Sequence, residues 1–286
     1  MDQRESDVAY WELHGRLEKA EPRPAGRDVV VLSNIEQGAE TSSGAPGLTI
    51  RYVARGCENY RIEGRGYRLE AGQIMIAPHE TGAECEIRKT EGSGTLGICT
   101  LLRDATDQLD WIYGPLIVSA DCIPLGTMMH EGARALWTAP NAKRELARSL
   151  ISGLRSEMPS VAQSVLKQAA AVDGAKPRTR FEMMRRAYLA QAYLHATLDH
   201  AVDLKELAGV AGISPFRLLA AFEQCFGETP ASYHRKLRLN RVIAEASRRG
   251  MPISAVSEEF GFAGVSSFSH AYRRAFGRAP VWNKAS

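Results

Sequence analysis

Long apolar runs are missing from this 286-residue chain. None approaches the roughly 18 residues needed to cross a bilayer, so no membrane-spanning helix is expected. Its opening residues, Met1-Asp2-Gln3-Arg4-Glu5, are charged with no apolar stretch behind them, unlike a secretory leader. Histidine is scarce, and the strand-like part offers only His79, within Ala77-Pro78-His79-Glu80; a lone histidine beside a proline is a surface residue more often than a metal ligand. There is no phosphate-binding glycine loop and no Ser/His/Asp or Cys/His constellation, so no enzyme, no metal and no resident cofactor are expected. The five cysteines, at 57, 85, 99, 122 and 225, are odd in number and unpatterned, which suits reduced thiols in a cytoplasm better than a disulfide framework.

What is present is the composition of a globular protein, 44% hydrophobic and 24% charged, at a length that accommodates two domains. The net charge of +3 conceals a division. Residues 178–286 hold 16 Lys+Arg against 9 Asp+Glu, a net of +7, which leaves 20 against 24, or −4, for residues 1–177. A basic module joined to a mildly acidic one fits a chain of which one part meets a polyanion.

Residues 1–27, with Trp11 and the Pro/Gly/Arg-rich Glu21–Arg27, read as an arm. From Asp28 to Leu102 short β-like runs follow one another: Val29–Leu32, Leu48–Val53, Tyr60–Ile62, Gly66–Leu69, Gln73–Ala77, Glu84–Arg88 and Thr95–Leu101, separated by turn residues. Glu63-Gly64-Arg65 marks a hairpin. Many short strands at this spacing predict a sandwich or small barrel. After residue 104 the pattern turns helical, with apolar positions three and four apart over Ala142–Leu154 and Ser160–Val172. Residues 173–180 contain breakers and charge and read as a linker between a domain at 28–172 and a second at 181–286.

The second domain contains an internal repeat. Leu204–Ser214 matches Ile253–Ala263, each a helix ending in glycine and followed by a tight turn. Each unit then ends in Phe-Gly-x-x-Pro, at Phe226–Pro230 and Phe276–Pro280. Gly212 and Gly261 stand where a helix must stop in a left-handed conformation, which glycine tolerates best. Ser214-Pro215 supplies an N-cap and then proline at the first helical position, where a missing N–H costs nothing. Two helices joined by a short glycine turn make the unit that places its second helix in a major groove. Between the units a helix from Pro230 to about Arg249 has one stripe of Leu239, Val242, Ile243 and Ala246 and another begun by Tyr233 and Leu237, suited to packing between two small modules.

Residues 181–286 resemble the AraC-type DNA-binding domain. The segment carrying the resemblance is Ile253 to Pro280, Ile-Ser-x-x-Ser-x-x-Phe-Gly-Phe-x-x-x-Ser-x-Phe-Ser-x-x-Tyr-Arg-Arg-x-Phe-Gly-x-x-Pro. The resemblance implies seven helices with two helix-turn-helix units, an N-terminal half that is a cupin-like sensor, and helices after it that often dimerise. The expected fold is therefore α+β: a cupin-like β-barrel or sandwich with helices, then an all-α double helix-turn-helix domain.

On the second recognition helix, Val265, Ser266, Ser269 and His270 match the family's groove-facing positions, while Phe268, Tyr272 and Phe276 fall on the core stripe. On the first, the matching face is Phe216, Arg217, Leu219 and Ala220, with Ser214 at its start. Leu219 and Ala220 offer no hydrogen bonds, so this unit departs from the usual polar face; Leu219 has core packing as its alternative. Arg235, Lys236, Arg238, Arg241, Arg273 and Arg274 are candidates for phosphate contacts, with a solvated helix face as the plain alternative.

In the strand region Arg55, Arg61, Arg65 and Arg68 cluster around the hairpin. Arg61-Ile-Glu-Gly-Arg65 has the Arg-x-x-x-Arg spacing with which PilZ-type receptors hold cyclic di-GMP, because guanidinium groups bond phosphates bidentately and stack on guanine. The second PilZ motif, Asp/Asn-x-Ser-x-x-Gly, is absent, and an arginine-rich solvated hairpin is the alternative. Cys57, Cys85 and Cys99 suggest a thiol sensor, against the commoner role of cysteine as a small buried hydrophobe. These readings predict a cytoplasmic, effector-responsive transcription regulator that binds double-stranded promoter DNA, dimerises through its N-terminal half and meets RNA polymerase. A cupin-type enzyme or a protein-interaction module with a degenerate helical domain is the competing class.

Overall fold

The computed structural model describes residues 8–17, 27–42, 47–62, 65–78, 83–87, 94–103, 112–139 and 141–280. Contacts divide the chain into two units: Met1–Ala170 with Gly174–Arg185, and Ala171–Asp173 with Arg186–Ser286.

The first unit is built on nine strands: β1 (Val8–Leu17), β2 (Asp28–Ser42), β3 (Gly47–Arg55), β4 (Cys57–Ile62), β5 (Arg65–Glu70), β6 (Gln73–Pro78), β7 (Ala83–Ile87), β8 (Thr95–Arg103) and β9 (Leu116–Ser119). Their order is β5-β4-β7-β2-β8-β3-β6-β9, with antiparallel neighbours throughout; β1 lies off this path, parallel to β2. Among the described residues β5 and β9 are open ends, so the sheet is sandwich-like and not a closed barrel. Residues 8–17, read above as part of an arm, form a full strand: Ala9, Trp11 and Leu13 pack on the buried Val29, Val31, Cys99 and Leu101. Their every-other spacing is a strand signal. The corner between β3 and β4 uses Gly56, whose φ is +80° and whose missing Cβ would stand 2.3 Å from the Gly94 carbonyl oxygen.

That corner lets the sheet face itself. Arg51 of β3, buried, makes a bidentate pair with Glu58 of β4 through Nε and Nη2, both at 2.7 Å. Tyr60 and Thr95 hydroxyls donate to the same carboxylate at 2.5 and 3.0 Å. Burial alone would raise the Glu58 pKa, but the Arg51 charge and these donors hold it below the ordinary carboxylate value. On the sheet's other face lies α1 (Pro124–Thr138), where Met129 is buried beneath Thr100 and the Tyr52 hydroxyl meets His130 Nδ1 at 2.8 Å.

Helix α2 (Lys143–Ala171) merges the two helices expected at 142–154 and 160–172. Pro159 removes one backbone donor inside it. The apolar stripe Leu154, Met158, Val161 and Val165 stays buried across the proline and carries the helix through. α3 (Pro177–Ala196) begins within the segment read as a linker, and the division between the units falls inside this helix.

The second unit continues with α4 (Leu204–Ala211), α5 (Pro215–Phe226), α6 (Pro230–Arg249), α7 (Ile253–Glu259) and α8 (Val265–Phe276). With α3 these are six helices among the described residues. α6 packs on both sides, as its two stripes predict. Tyr233 meets Phe222 and Phe226 at 5.5 and 5.9 Å between ring centroids. Leu239, Val242 and Ala246 join Ile253, Val256, Phe268 and Tyr272 in a second core. Each fully buried phenylalanine contributes about 1.5–3 kcal/mol of transfer free energy.

Candidate nucleic-acid interface

The first helix-turn-helix is α4 and α5. Asp203 caps α4, accepting from the Glu206 N–H at 2.8 Å. Gly212 stops it in the left-handed region at φ +65°. Ser214 caps α5, accepting from the Arg217 N–H at 3.4 Å, and Pro215 opens the helix. In the second unit α7 and α8 are joined by a turn one residue longer between glycine and helix start, Gly261 to Val265 against Gly212 to Pro215. Gly261 is left-handed at φ +75°, and Gly264, at φ +129°, precedes α8 without a side-chain cap.

The first turn of a recognition helix is the part that meets base edges. On α5 that turn presents Phe216, 82% exposed, and Arg217, also exposed. An aromatic ring held this far from any core costs water contact, and apolar contact with a thymine methyl or base step would relieve it. Ser214 is exposed and Ala220 half-buried. Leu219 is half-buried against a small crevice with Leu194, Val202, Leu204 and Leu207, which is the packing alternative for that residue. On α8, Ser266, His270, Arg273 and Arg274 are exposed and Ser269 half-buried; Val265 packs against the second core. Phe268 and Tyr272 are buried and Phe276 lies against them, as the stripe predicts.

The arginines of α6 separate by role. Arg241 is exposed and pairs with Glu245 at 2.8 Å, leaving its face open to phosphate. Lys236 pairs with Glu228 at 2.8 Å, and Arg235 is exposed. Arg238, expected among the DNA contacts, instead turns inward: Nε donates to the Leu198 carbonyl at 3.1 Å and Nη2 to the Phe260 carbonyl. Sequence reasoning also missed the pair between Asp173 and Gln224, in which Gln224 Nε2 donates to Asp173 Oδ2 at 2.6 Å and the Asp173 N–H to Gln224 Oε1 at 3.1 Å. Two polar residues 51 positions apart leave no spacing signal.

The arginines of the strand region lie on and beside the β4–β5 hairpin, and the Arg65 side chain lies outside the described residues. Arg61 pairs in register with Gly66 and Arg65 with Ile62. Arg61 also stands in register with Glu84 of β7, Arg68 is bonded to Glu70 at 2.9 Å, and Arg55 is exposed at the end of β3. Cys57 is half-buried and Cys99 buried; the Cys85 side chain and His79 lie outside the described residues. Burial pushes the Cys225 thiol up to about 12. Among the described residues no three His, Cys, Asp or Glu side chains group as a metal site, and no helix is long and apolar enough to cross a membrane.

Residues 207–281 match the family model described as a helix-turn-helix domain. The region is an AraC-type helix-turn-helix domain. Relatives of the AraC-type domain are transcriptional regulators. The probable transcriptional regulator LumQ of Photobacterium leiognathi is 28% identical over 128 residues, 45% of this chain and 50% of its own. The RCS-specific HTH-type transcriptional activator RclR of Escherichia coli (strain K12) is 35% identical over 81 residues, 28% of each. The chain thus spans half the length of the first and less of the second. Among solved structures, ToxT from Vibrio cholerae aligns with 82% of this chain and 88% of its own at 12% identity and a TM-score of 0.33.

Proposed function

We propose that this chain is a sequence-specific DNA-binding transcription regulator whose N-terminal unit responds to a small-molecule effector. The observation that carries the reading is the pair of helix-turn-helix units whose second helices both present their first turns to solvent. The second unit reads base edges by hydrogen bonds from Ser266, Ser269 and His270, with Arg273, Arg274 and Arg241 on phosphates. The first reads by apolar contact, with Phe216 and Ala220 against the bases and Arg217 and Ser214 on the backbone. Leu219 packs beneath this surface. The partners are a promoter duplex, RNA polymerase and a second copy through the N-terminal half, all in the cytoplasm.

Selection of the full chain against a random-sequence duplex pool tests the reading. The expected result is a motif of two blocks, bound with an affinity that falls steeply with salt. Enrichment of no motif, or binding that ignores salt, defeats it. For the effector, calorimetry of the full chain with cyclic di-GMP tests the arginines of the β4–β5 hairpin. Saturable heat lost in Arg61→Ala places the nucleotide there, and no heat assigns those arginines to the solvated surface.

A further inference from the structure

Each helix-turn-helix turn is held by an arginine reaching in from the helix that precedes its unit. In the first, Arg186 of α3 donates through Nη1 to the carbonyl of Ala211 at 2.8 Å, and the next residue is Gly212. In the second, Arg238 of α6 donates through Nη2 to the carbonyl of Phe260, and the next residue is Gly261. Carbonyls at a helix end lack intrahelical partners, so a guanidinium placed there satisfies them. A Cβ on Gly212 would stand 2.9 Å from Arg186 Nη1, and one on Gly261 3.5 Å from Arg238 Nη2. Gly212 therefore supplies the backbone turn and also the seat for the guanidinium, whereas at Gly261 a Cβ would meet Arg238 at ordinary contact distance and the glycine supplies the turn.

Arg238 makes two further contacts. Its Nε holds the carbonyl of Leu198, in the segment leading from α3 into the first unit, and its guanidinium lies over the Phe262 ring, 5.7 Å from the centroid. One planar fork thus grips the approach to the first unit and the turn of the second. An ammonium carries its three donors on one atom and cannot reproduce the fixed, planar spread of the fork.

We infer that Arg238 is a positioning residue that fixes the spacing at which the two recognition helices meet DNA, while Arg186 holds the first turn. The inference rests on the DNA-binding reading above. Two recognition helices on one face of a duplex must stand about one helical turn, roughly 34 Å, apart. A clamp at the junction of the units sets that distance without touching a phosphate.

The test is selection of the full chain against a random-sequence duplex pool, wild type beside Arg238→Lys. The variant keeps the positive charge and loses the fork. The expected result is the same two blocks with their separation spread over several base pairs. Affinity for the wild-type duplex should fall roughly tenfold, as losing one charge-assisted hydrogen bond implies, with an unchanged salt slope. Arg186→Lys should blur the first block and leave the separation fixed. A single, wild-type separation in Arg238→Lys overturns the inference. So does a salt slope lowered by about 1 in Arg238→Gln at fixed separation, the mark of a lost phosphate contact. If Arg238→Lys binds no duplex, Phe262→Leu removes the ring under the fork and is read the same way: a spread separation supports the clamp and a fixed one overturns it. A wild-type chain that enriches no motif defeats the DNA-binding reading itself.

Discussion

Where α5 carries Phe216, Leu219, Ala220, Glu223 and Gln224, α8 carries, fifty positions on, Ser266, Ser269, His270, Arg273 and Arg274. Beneath these faces the same comparison gives like for like: Leu218 against Phe268, Phe222 against Tyr272, Phe226 against Phe276, Gly227 against Gly277. The buried residues keep two helices at one crossing, and packing tolerates only apolar residues of similar volume there. The outward residues carry no such constraint. One unit has come to offer an aromatic ring and an acid, the other hydroxyls, an imidazole and two cations. A shared framework therefore says that both units present a helix, and the side chains alone say what each helix reads.

The comparison breaks most readily in the cores. Phe268→Ala and Phe222→Ala each remove a fully buried ring and should each cost about 3–5 kcal/mol in urea denaturation. A neutral result in either would mean that its unit does not rest on the shared framework. At the surface, His270→Ala should lower discrimination at the second block by about 1–3 kcal/mol in duplex competition. Phe216→Ala should act on the first block alone. Replacing thymine there by deoxyuridine should weaken the wild type and leave Phe216→Ala unmoved; an equal loss in both would remove the methyl contact from the first unit.

Smaller effects separate the turns. Ser214→Ala should cost about 1 kcal/mol of stability through the lost cap. Gly264→Ser, at the matching position, should bring no gain, because φ there is +129°. His234 offers a pH contrast. It is buried on α6, bonded to the Thr197 carbonyl at 2.6 Å. Burial lowers its pKa below the ordinary 6.5, with Arg238 and His200 pushing the same way against the Thr197 bond and Asp199. A depressed folded pKa means that its contribution is whole above the unfolded value and is lost as pH falls below it. Thermal unfolding should therefore show stability declining from about pH 7 toward 5, and His234→Gln should flatten that slope.

The repeat, both glycine turns, the Ser214 cap and the core stripe of α8 were legible because each obeys a local rule, either a period or a backbone conformation that few residues adopt. Elements set by distant neighbours were not. Pro159 ends a helix by any local rule, yet the buried stripe around it holds α2 together. Residues 8–17 look like an arm until β2 lies alongside to pair with them. β9 (Leu116–Ser119) is four residues long and shows as a strand only beside β6. Arg238 looks like any other basic residue on α6, because a sequence does not show which carbonyls lie within reach.

Two reading units within one polypeptide, unlike in chemistry and fixed in chain order, have no dyad between them. A symmetric dimer of identical heads meets an inverted repeat and binds it equally well from either side. This chain would give its target a head and a tail: apolar contact at one end, hydrogen bonds and cations at the other. Inverting the site relative to the start of transcription would then exchange the ends that α5 and α8 read, so that the orientation of the sequence, and not only its presence, would be part of the signal.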